Sequence, residues 1–457
     1  MHEARNSMKA NMKRLSDPSD PSAQSDPHQE RSPLCFPAAL QYLCSRKIEK
    51  ERTVLRKLLT LIFFLPLLAM AQERDTLAVD SLEVDTTAET LLTGTLQERL
   101  QRLLADELLQ RTQVGIYVYD LTADSALFRY NEQQTMRPGS CQKLLTAVTA
   151  LSQLGVDYNY STSLLMDGTI AGRVLTGNLY VRAGFDPLFG RDDLLAFVQA
   201  VREQGIDTLR GNIILDLSMK DTQKYGWGWC WDDDNPVLTP LLFNGKDTFT
   251  EHFAELLAES GIVVEGNTLS GSIGAAVTPL VTRTHTIDQI LFRMMKESNN
   301  LYAESMFYQI GAQSGRAYAD RRRATERLQR FVRLIGLDPA HYQFADGSGL
   351  SLYNYASPEL LLRLLRYAYQ HQDIYNHLLP SLPIAGQDGT LRRRMRGGTA
   401  YGNVRAKTGT VEGVSTLCGY AQAPNGHHLA FALFNQGTLR GSQARRFQDK
   451  VCQEMTK

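Results

Sequence analysis

Cysteine is scarce in this 457-residue chain, with six in all, too few for a disulfide scaffold. Neither charge sign is in excess: 49 Lys+Arg face 49 Asp+Glu, for a net charge of +0. With no long basic run either, nothing in the charge supports nucleic-acid binding. The 43% hydrophobic and 21% charged residues exclude a wholly disordered or fibrous protein. The sequence contains no H-E-x-x-H, no G-x-S-x-G elbow and no P-loop, which disfavours zinc-peptidase, α/β-hydrolase and nucleotide chemistry. His427 and His428, if on a strand, point to opposite faces and do not make a metal pair. The acidic triplet Asp232, Asp233 and Asp234 is not followed by EF-hand spacing and reads as a loop or cap, so no metal is assigned.

What is present is unevenly distributed. Residues 1–53 are polar and rich in Pro, Ser and Asp, a composition that cannot form a packed core. Arg52, Arg56 and Lys57 then precede an apolar run over 58–68, and Ala69-Met70-Ala71 follows. That run is 11 residues long and contains Pro66, whereas a membrane-spanning helix needs about 20. A basic flank, a short apolar stretch and an A-x-A site are the pattern of a cleaved secretory signal peptide, here 54–71, behind a leader that is disordered or not translated. Residues 1–71 hold 11 of the 49 Lys+Arg and 7 of the 49 Asp+Glu, leaving 38 against 42, a net charge of −4. Cys141, Cys230, Cys418 and Cys452 remain. Four cysteines allow three pairings that sequence cannot choose among, and the reading taken is mostly unpaired, buried thiols.

After an acidic arm over 72–92, apolar spacing predicts a helix over 96–109, strands over 114–119 and 126–130, and a helix from Ser140 to Leu154. Between 165 and 284 the signals are short strands (178–182, 211–217), one helix (192–203) and the stretch GWGWCWDDDNP. Helical patterns return at 287–310, 318–335 and 358–370, then strands at 402–408, 413–422 and 428–434. Helices between two groups of strands suit an α+β fold with one antiparallel sheet whose strands come from both ends of the chain.

Three motifs carry chemistry. Ser140-Cys141-Gln142-Lys143 places a hydroxyl and an amine at i and i+3 on one helix face, where a neutral lysine activates the serine. A capped helix with an exposed lysine is the bland alternative. Ser298-Asn299-Asn300 lies between two helical stretches and offers a relay hydroxyl and an amide, or simply a helix N-cap. Lys407-Thr408-Gly409 on a strand offers a cation and a hydroxyl to a carboxylate, with Gly409 letting a ligand backbone approach; its alternative is an exposed strand and turn.

Each motif occurs once, and their order is that of the active-site serine penicillin-recognising enzymes. Together with FADGSGLSLYN (344–354) and LPIAGQDGTLRRRM (382–395), they resemble the D-alanyl-D-alanine carboxypeptidase/endopeptidase family of class C low-molecular-mass penicillin-binding proteins, over about 95–452. The resemblance implies a β-lactamase/transpeptidase-like α/β/α domain with an antiparallel sheet (93–165 and 285–457). It also implies a β-rich accessory domain (166–284) inserted between Ser-x-x-Lys and Ser-x-Asn, short for the family. By the same resemblance Ser140 attacks the carbonyl between two D-Ala residues, Lys143 is the base, and Ser298 relays the proton with help from Lys407. The N–H groups of Ser140 and Thr410 form the oxyanion hole. Asn300 holds a substrate amide, and Lys407, Thr408 and Gly409 bind the terminal carboxylate. Implied partners are peptidoglycan peptides and, as covalent inhibitors, β-lactams, in an extracytoplasmic or periplasmic location, with peripheral membrane association open and no cofactor, metal or nucleic acid. Asp186, Asp346, Ser348 and Asp388 fit a turn-forming role as well as a catalytic one. Gly139, Cys141 and Leu352 depart from the family's usual residues. The rival readings are a serine β-lactamase, against which the large insert and DGSGLS argue, and a non-catalytic peptidoglycan-binding relic, against which the intact motifs argue.

Overall fold

The computed structural model describes residues 94–313 and 318–457, so the expected leader (1–53), signal peptide (54–71) and arm (72–92) lie outside the described residues. The described residues belong to one compact unit, Asp85–Lys457. Along the chain its elements are helix α1 (Leu96–Leu103), strands β1 (Gln113–Asp120) and β2 (Ser125–Tyr130), and α2 (Gln142–Leu154). Next come β3 (Asn159–Met166), β4 (Thr169–Ala171), β5 (Val174–Thr176), β6 (Leu179–Arg182), α3 (Arg191–Glu203), β7 (Thr208–Arg210) and β8 (Ile213–Asp216). They continue with α4 (Phe249–Glu259), β9 (Val263–Val264), β10 (Thr268–Ser270), β11 (Thr278–Thr286), α5 (Ile287–Lys296), α6 (Asn300–Ala312) and α7 (Arg321–Leu334). The remainder is α8 (Pro358–Gln370), α9 (Gln372–Ser381), β12 (Arg405–Val411), β13 (Val414–Gln422), β14 (His428–Gln436) and α10 (Gly441–Thr456).

The first sheet has the order β12-β13-β14-β1-β2 and is antiparallel throughout. It joins an N-terminal hairpin to three C-terminal strands, as the two groups of strand signals implied. Strand β14 reads as an almost unbroken apolar run because both its faces are covered. Leu429, Phe431 and Leu433 enter a core with α1 and α10, while Ala430, Ala432 and Phe434 enter a larger core with α2, α5, α6 and α8. The result is an α/β/α sandwich.

Two further sheets, β10-β8-β6-β3-β11 and β4-β5-β7-β9, mix parallel and antiparallel pairs and come from residues 159–286. They enclose an apolar core of their own around Phe189, Phe197, Phe249 and Phe253. Strand β3 already belongs to this sheet, through its register with β11 from Asn159↔Thr286 to Thr278↔Met166, so the second-sheet material starts before residue 166.

Several sequence expectations change. The helix expected over 96–109 stops at Leu103, because the Asp106 carboxylate accepts from Leu108 N and starts a separate 3-10 turn over Glu107–Gln110. The pattern at 287–310 is two helices, α5 and α6, broken at Ser298. The middle segment holds two helices, not one: α4 buries Phe249, Phe253, Leu256 and Leu257 on one face. Helices α9 and α10 were not anticipated, although α10 buries Ala444, Phe447, Val451, Cys452 and Met455 at helical spacing. Among the described residues the four cysteines are free; Cys141, Cys418 and Cys452 are buried and Cys230 is half-buried.

Truncating Phe197, fully buried in the second core, should cost about 3–5 kcal/mol. If residues 159–286 unfold apart from the large sandwich, urea melts of Phe197→Ala will show an early transition followed by a second one at the wild-type midpoint. A single shared transition would show that the two cores fold as one.

Candidate active site

Ser140 sits in a 3-10 turn, Gly139–Cys141, that leads into α2. Gly139 has φ +50°, and a Cβ there would lie 2.9 Å from Thr410 N, so the turn is pressed against β12. From the strand side, a Cβ on Gly409 would lie 2.5 Å from Pro138 O and 2.1 Å from Thr416 Oγ1. The backbone that Gly409 admits is therefore the chain's own Ser140 turn, where the sequence had suggested a ligand. The Thr416 hydroxyl donates to Pro138 O (2.6 Å) and fixes the turn further.

Lys143, the second residue of α2, is fully buried. Its Nζ lies 3.0 Å from Ser140 Oγ, 2.8 Å from Asn300 Oδ1 and 2.8 Å from the Ser348 carbonyl oxygen. Burial holds its pKa well below the ordinary lysine value, and the Lys407 charge pushes in the same direction. The capped-helix alternative with an exposed lysine is thus not what the fold contains.

Ser298 lies between α5 and α6 with φ +59°, a left-handed conformation that costs a non-glycine residue on the order of 1 kcal/mol or more. The N-cap of α6 is Asn299, whose side chain accepts from Tyr302 N. That division frees its neighbours: Ser298 Oγ accepts from Lys407 Nζ (2.8 Å), and Asn300 turns to Lys143. Lys407, fully buried on β12, also donates to Thr408 O (2.7 Å), and burial lowers its pKa to about 8. Thr408, the next residue along the strand, donates to Thr390 Oγ1 (2.8 Å) in the 382–395 segment. Thr410 is exposed, with its backbone N beside the Ser140 turn. The motif residues, remote in sequence, thus converge on one site. A cavity of about 510 Å³ adjoins it, lined by Ser298, Asn300 and Arg293 together with Pro187, Asp234 and Lys246. Among the described residues no group of three His, Cys, Asp or Glu side chains is placed to hold a metal ion.

The acidic candidates are structural. Asp346 accepts from Gly349 N, Ser351 N, Asn354 Nδ2 and Trp229 Nε1, at 2.7–2.9 Å, and so shapes the DGSG loop. Ser348 contributes its carbonyl to Lys143, while its Oγ accepts from Leu350 N. Asp388 accepts from Lys296 Nζ and Ile384 N. Asp186 accepts from Leu188 N and contacts His285 Nδ1 at 2.6 Å.

Sequence reasoning missed Glu304, four residues past Asn300 and so on the same face of α6. Its carboxyl is buried, accepts from Gly347 N (3.1 Å) and Ser348 N (2.8 Å), and clamps the loop whose carbonyl meets Lys143. Thr146 Oγ1 grips the same loop at Gly347 O (2.7 Å). Burial, reinforced by the Asp346 carboxylate, pushes the Glu304 pKa up to about 8. The one sequence signal was the spacing: an acid on an otherwise buried helix needs a partner.

Two predictions follow from this geometry. Gly409→Ala puts a Cβ against Pro138 O and Thr416 Oγ1 and should cost about 1–3 kcal/mol in urea unfolding by overpacking, with the far-UV circular dichroism spectrum unchanged. Glu304→Ala strands two buried N–H groups and should cost about 2–6 kcal/mol in urea unfolding, whereas Glu304→Gln keeps an acceptor oxygen. Because the folded-state pKa is raised from 4.5 to about 8, the wild-type stability contribution is full below pH 4.5 and lost as pH rises to about 8; Glu304→Gln should flatten that slope.

Comparison with known proteins agrees with this geometry. A family profile described as D-Ala-D-Ala carboxypeptidase 3 (S13) matches residues 96–241 and 238–457. The D-alanyl-D-alanine carboxypeptidase DacB of Haemophilus influenzae is 25% identical over 425 residues, covering 74% of this chain and 88% of that protein. The D-alanyl-D-alanine carboxypeptidase of Actinomadura sp. is 26% identical over 439 residues, covering 75% of this chain and 81% of that protein. The crystal structure of penicillin binding protein 4 from Haemophilus influenzae, also solved in complex with a β-lactam, superposes with a TM-score of 0.71 at 23% identity, covering 78% of this chain and 97% of that one. With the profile spanning most of its length, the chain belongs to the D-Ala-D-Ala carboxypeptidase 3 (S13) family of serine-type carboxypeptidases.

Proposed function

We propose that this carboxypeptidase is exported and trims or cleaves peptidoglycan peptides at D-Ala-D-Ala bonds through an acyl-enzyme on Ser140, and that β-lactams block it by acylating the same oxygen. The observation that carries this reading is the setting of Lys143. Two of its three oxygen neighbours, Asn300 Oδ1 and Ser348 O, are carbonyl oxygens that only accept hydrogen bonds. They take the two N–H bonds of a neutral amine and leave its lone pair toward Ser140 Oγ, 3.0 Å away. Burial favours that neutral form.

Ser140 Oγ attacks the penultimate D-Ala carbonyl as its proton passes to Lys143. The N–H groups of Ser140 and Thr410 stabilise the oxyanion. Ser298, hydrogen-bonded to Lys407, passes a proton to the departing D-Ala amine, and water then hydrolyses the ester. Lys407, with Thr408, faces the substrate's terminal carboxylate, and Asn300 also serves a substrate amide. In this reading 93–158 and 287–457 form the catalytic domain and 159–286 an inserted one, wider than the expected 166–284 because β3 and β11 belong to the second sheet, and Gly409 keeps the nucleophile turn seated on β12.

Ser140→Ala should abolish labelling by fluorescent penicillin and lower D-Ala release from a muropeptide by more than about 10⁴-fold. A Ser140→Ala protein that still labels, or rapid penicillin turnover by the wild type, would overturn the reading. With a Lys407 pKa of about 8, its charge is present below that pH and lost above it. The KM for a D-Ala-D-Ala peptide should therefore rise above pH 8, and Lys407→Arg should remove that rise even as kcat falls.

A further inference from the structure

We propose that the surface at the C-terminal end of α2, formed by the outer face of α7 and an arginine-lined cavity beside it, docks on an anionic phospholipid surface. Helix α7 carries six arginines and one glutamate, Glu326, in a chain whose net charge after residue 71 is −4. Its inner face is spent on the protein core, where Ala324, Leu328, Phe331 and Val332 are buried. The outward residues Arg322, Arg330 and Arg333 are exposed and make no ion pair among the described residues. Leu334, on the same side, is 63% exposed.

The end of α7 forms one wall of a cavity of about 520 Å³ that also contains Arg129, Arg363, Arg366 and the rings of Tyr117, Tyr119 and Tyr367. Glu359 holds Arg363 at 2.7 Å, and Asp124 holds Arg366 through two bonds of 2.6 and 2.7 Å. These carboxylates orient the two guanidinium groups without covering the third. Arg129 has no carboxylate partner among the described residues and lies over the Tyr117 ring at 5.1 Å. Because Arg363 and Arg366 already spend Nε and one terminal nitrogen on Glu359 and Asp124, Arg129 is the guanidinium left to meet a phosphodiester headgroup, whose oxygens guanidinium recognises in pairs. The flanking exposed arginines then add attraction to a negatively charged surface, each weighing about five-fold in affinity.

The position in the fold favours a membrane over a small soluble anion. Gln153, near the end of α2, donates to Arg327 O on α7, and Ser152 contacts Tyr367 at the cavity wall. Ser140 is at the opposite end of this 13-residue helix, about 20 Å away at 1.5 Å per residue. A protein resting on lipid through this surface presents its serine away from the bilayer, which rests on the reading of Ser140 given above; the binding itself does not.

The test is co-sedimentation of the protein, as recovered from cells, with equimolar phosphatidylglycerol/phosphatidylcholine vesicles, with phosphatidylcholine vesicles, and with heparin as a soluble polyanion. Binding to the anionic vesicles should be strong at about 0.1 M salt and largely lost near 1 M, where the Debye length falls to about 3 Å. The triple variant Arg129→Gln/Arg330→Gln/Arg333→Gln should bind them on the order of 100-fold more weakly, with penicillin labelling and circular dichroism unchanged. Equal binding by variant and wild type, equal binding to phosphatidylcholine alone, or binding to heparin without binding to vesicles would each overturn the proposal. Loss of labelling in Ser140→Ala with vesicle binding intact separates a failure of this proposal from a failure of the catalytic one.

Discussion

Two lysine amines are buried in one site, and among the described residues neither has a carboxylate as hydrogen-bond partner: Lys143 is served by a hydroxyl and two carbonyl oxygens, Lys407 by a hydroxyl and one carbonyl. Burial and the Lys407 charge both disfavour charge on Lys143, and much of the surrounding structure can be understood as holding this arrangement. A buried amine is tolerated only when every N–H finds an oxygen. The oxygens come from α2, from the start of α6, from β12 and from the loop at 346–348. Glu304 and Thr146 restrain that loop, Asp346 shapes it, and Gly409 and Gly139 let β12 and the serine turn approach within the space of a missing Cβ. The site is thus a set of neutral acceptors held in place by groups that never face the cleft.

The readable part of this arrangement was the part that resides in short-range spacing. Ser140 and Lys143 share a helix face, and the three motifs stand in an order that the resemblance recognises. The strands at both ends of the chain were legible as apolar runs, and their pairing into one sheet followed from the helical block between them. What spacing does not encode is which residue of a tripeptide caps a helix: Ser298 looked like an N-cap until Asn299 took that role. Nor does it encode contacts made by carbonyls. Ser348 matters through a backbone oxygen that any residue possesses, and Glu304 matters because of a loop more than 40 residues away in sequence. Helix α10 is a different case, since its apolar residues do recur at helical spacing but are diluted by Arg, Gln, Asp and Lys on the outer face.

The second core, around Phe189, Phe197, Phe249 and Phe253, stands apart from the large sandwich yet supplies Pro187, Asp234 and Lys246 to the wall of the cavity next to Ser298. Chemistry and the shaping of the cleft are thereby assigned to different stretches of chain. The serine, the two lysines and their acceptors come from the sandwich, and the middle third touches them indirectly, through Trp229 on Asp346 and Phe185 O on Ser305.

The first sheet is completed by residues that are far apart in the order of synthesis. Gln113 on β1 meets Gln436 on β14 across 323 residues, and Lys407 meets Ser298 across 109. Ser140 emerges early, but β12 and its amine emerge near the end, and the strand between β1 and β13 is the last of the sheet to appear. Pairings at such separation carry a large loop-closure cost and form late. A chain made from its N-terminus therefore carries Ser140 through most of its synthesis without the second amine or the strand against which the serine turn is seated. The serine turn and the two buried amines are brought together only once β12 and β14 have been made.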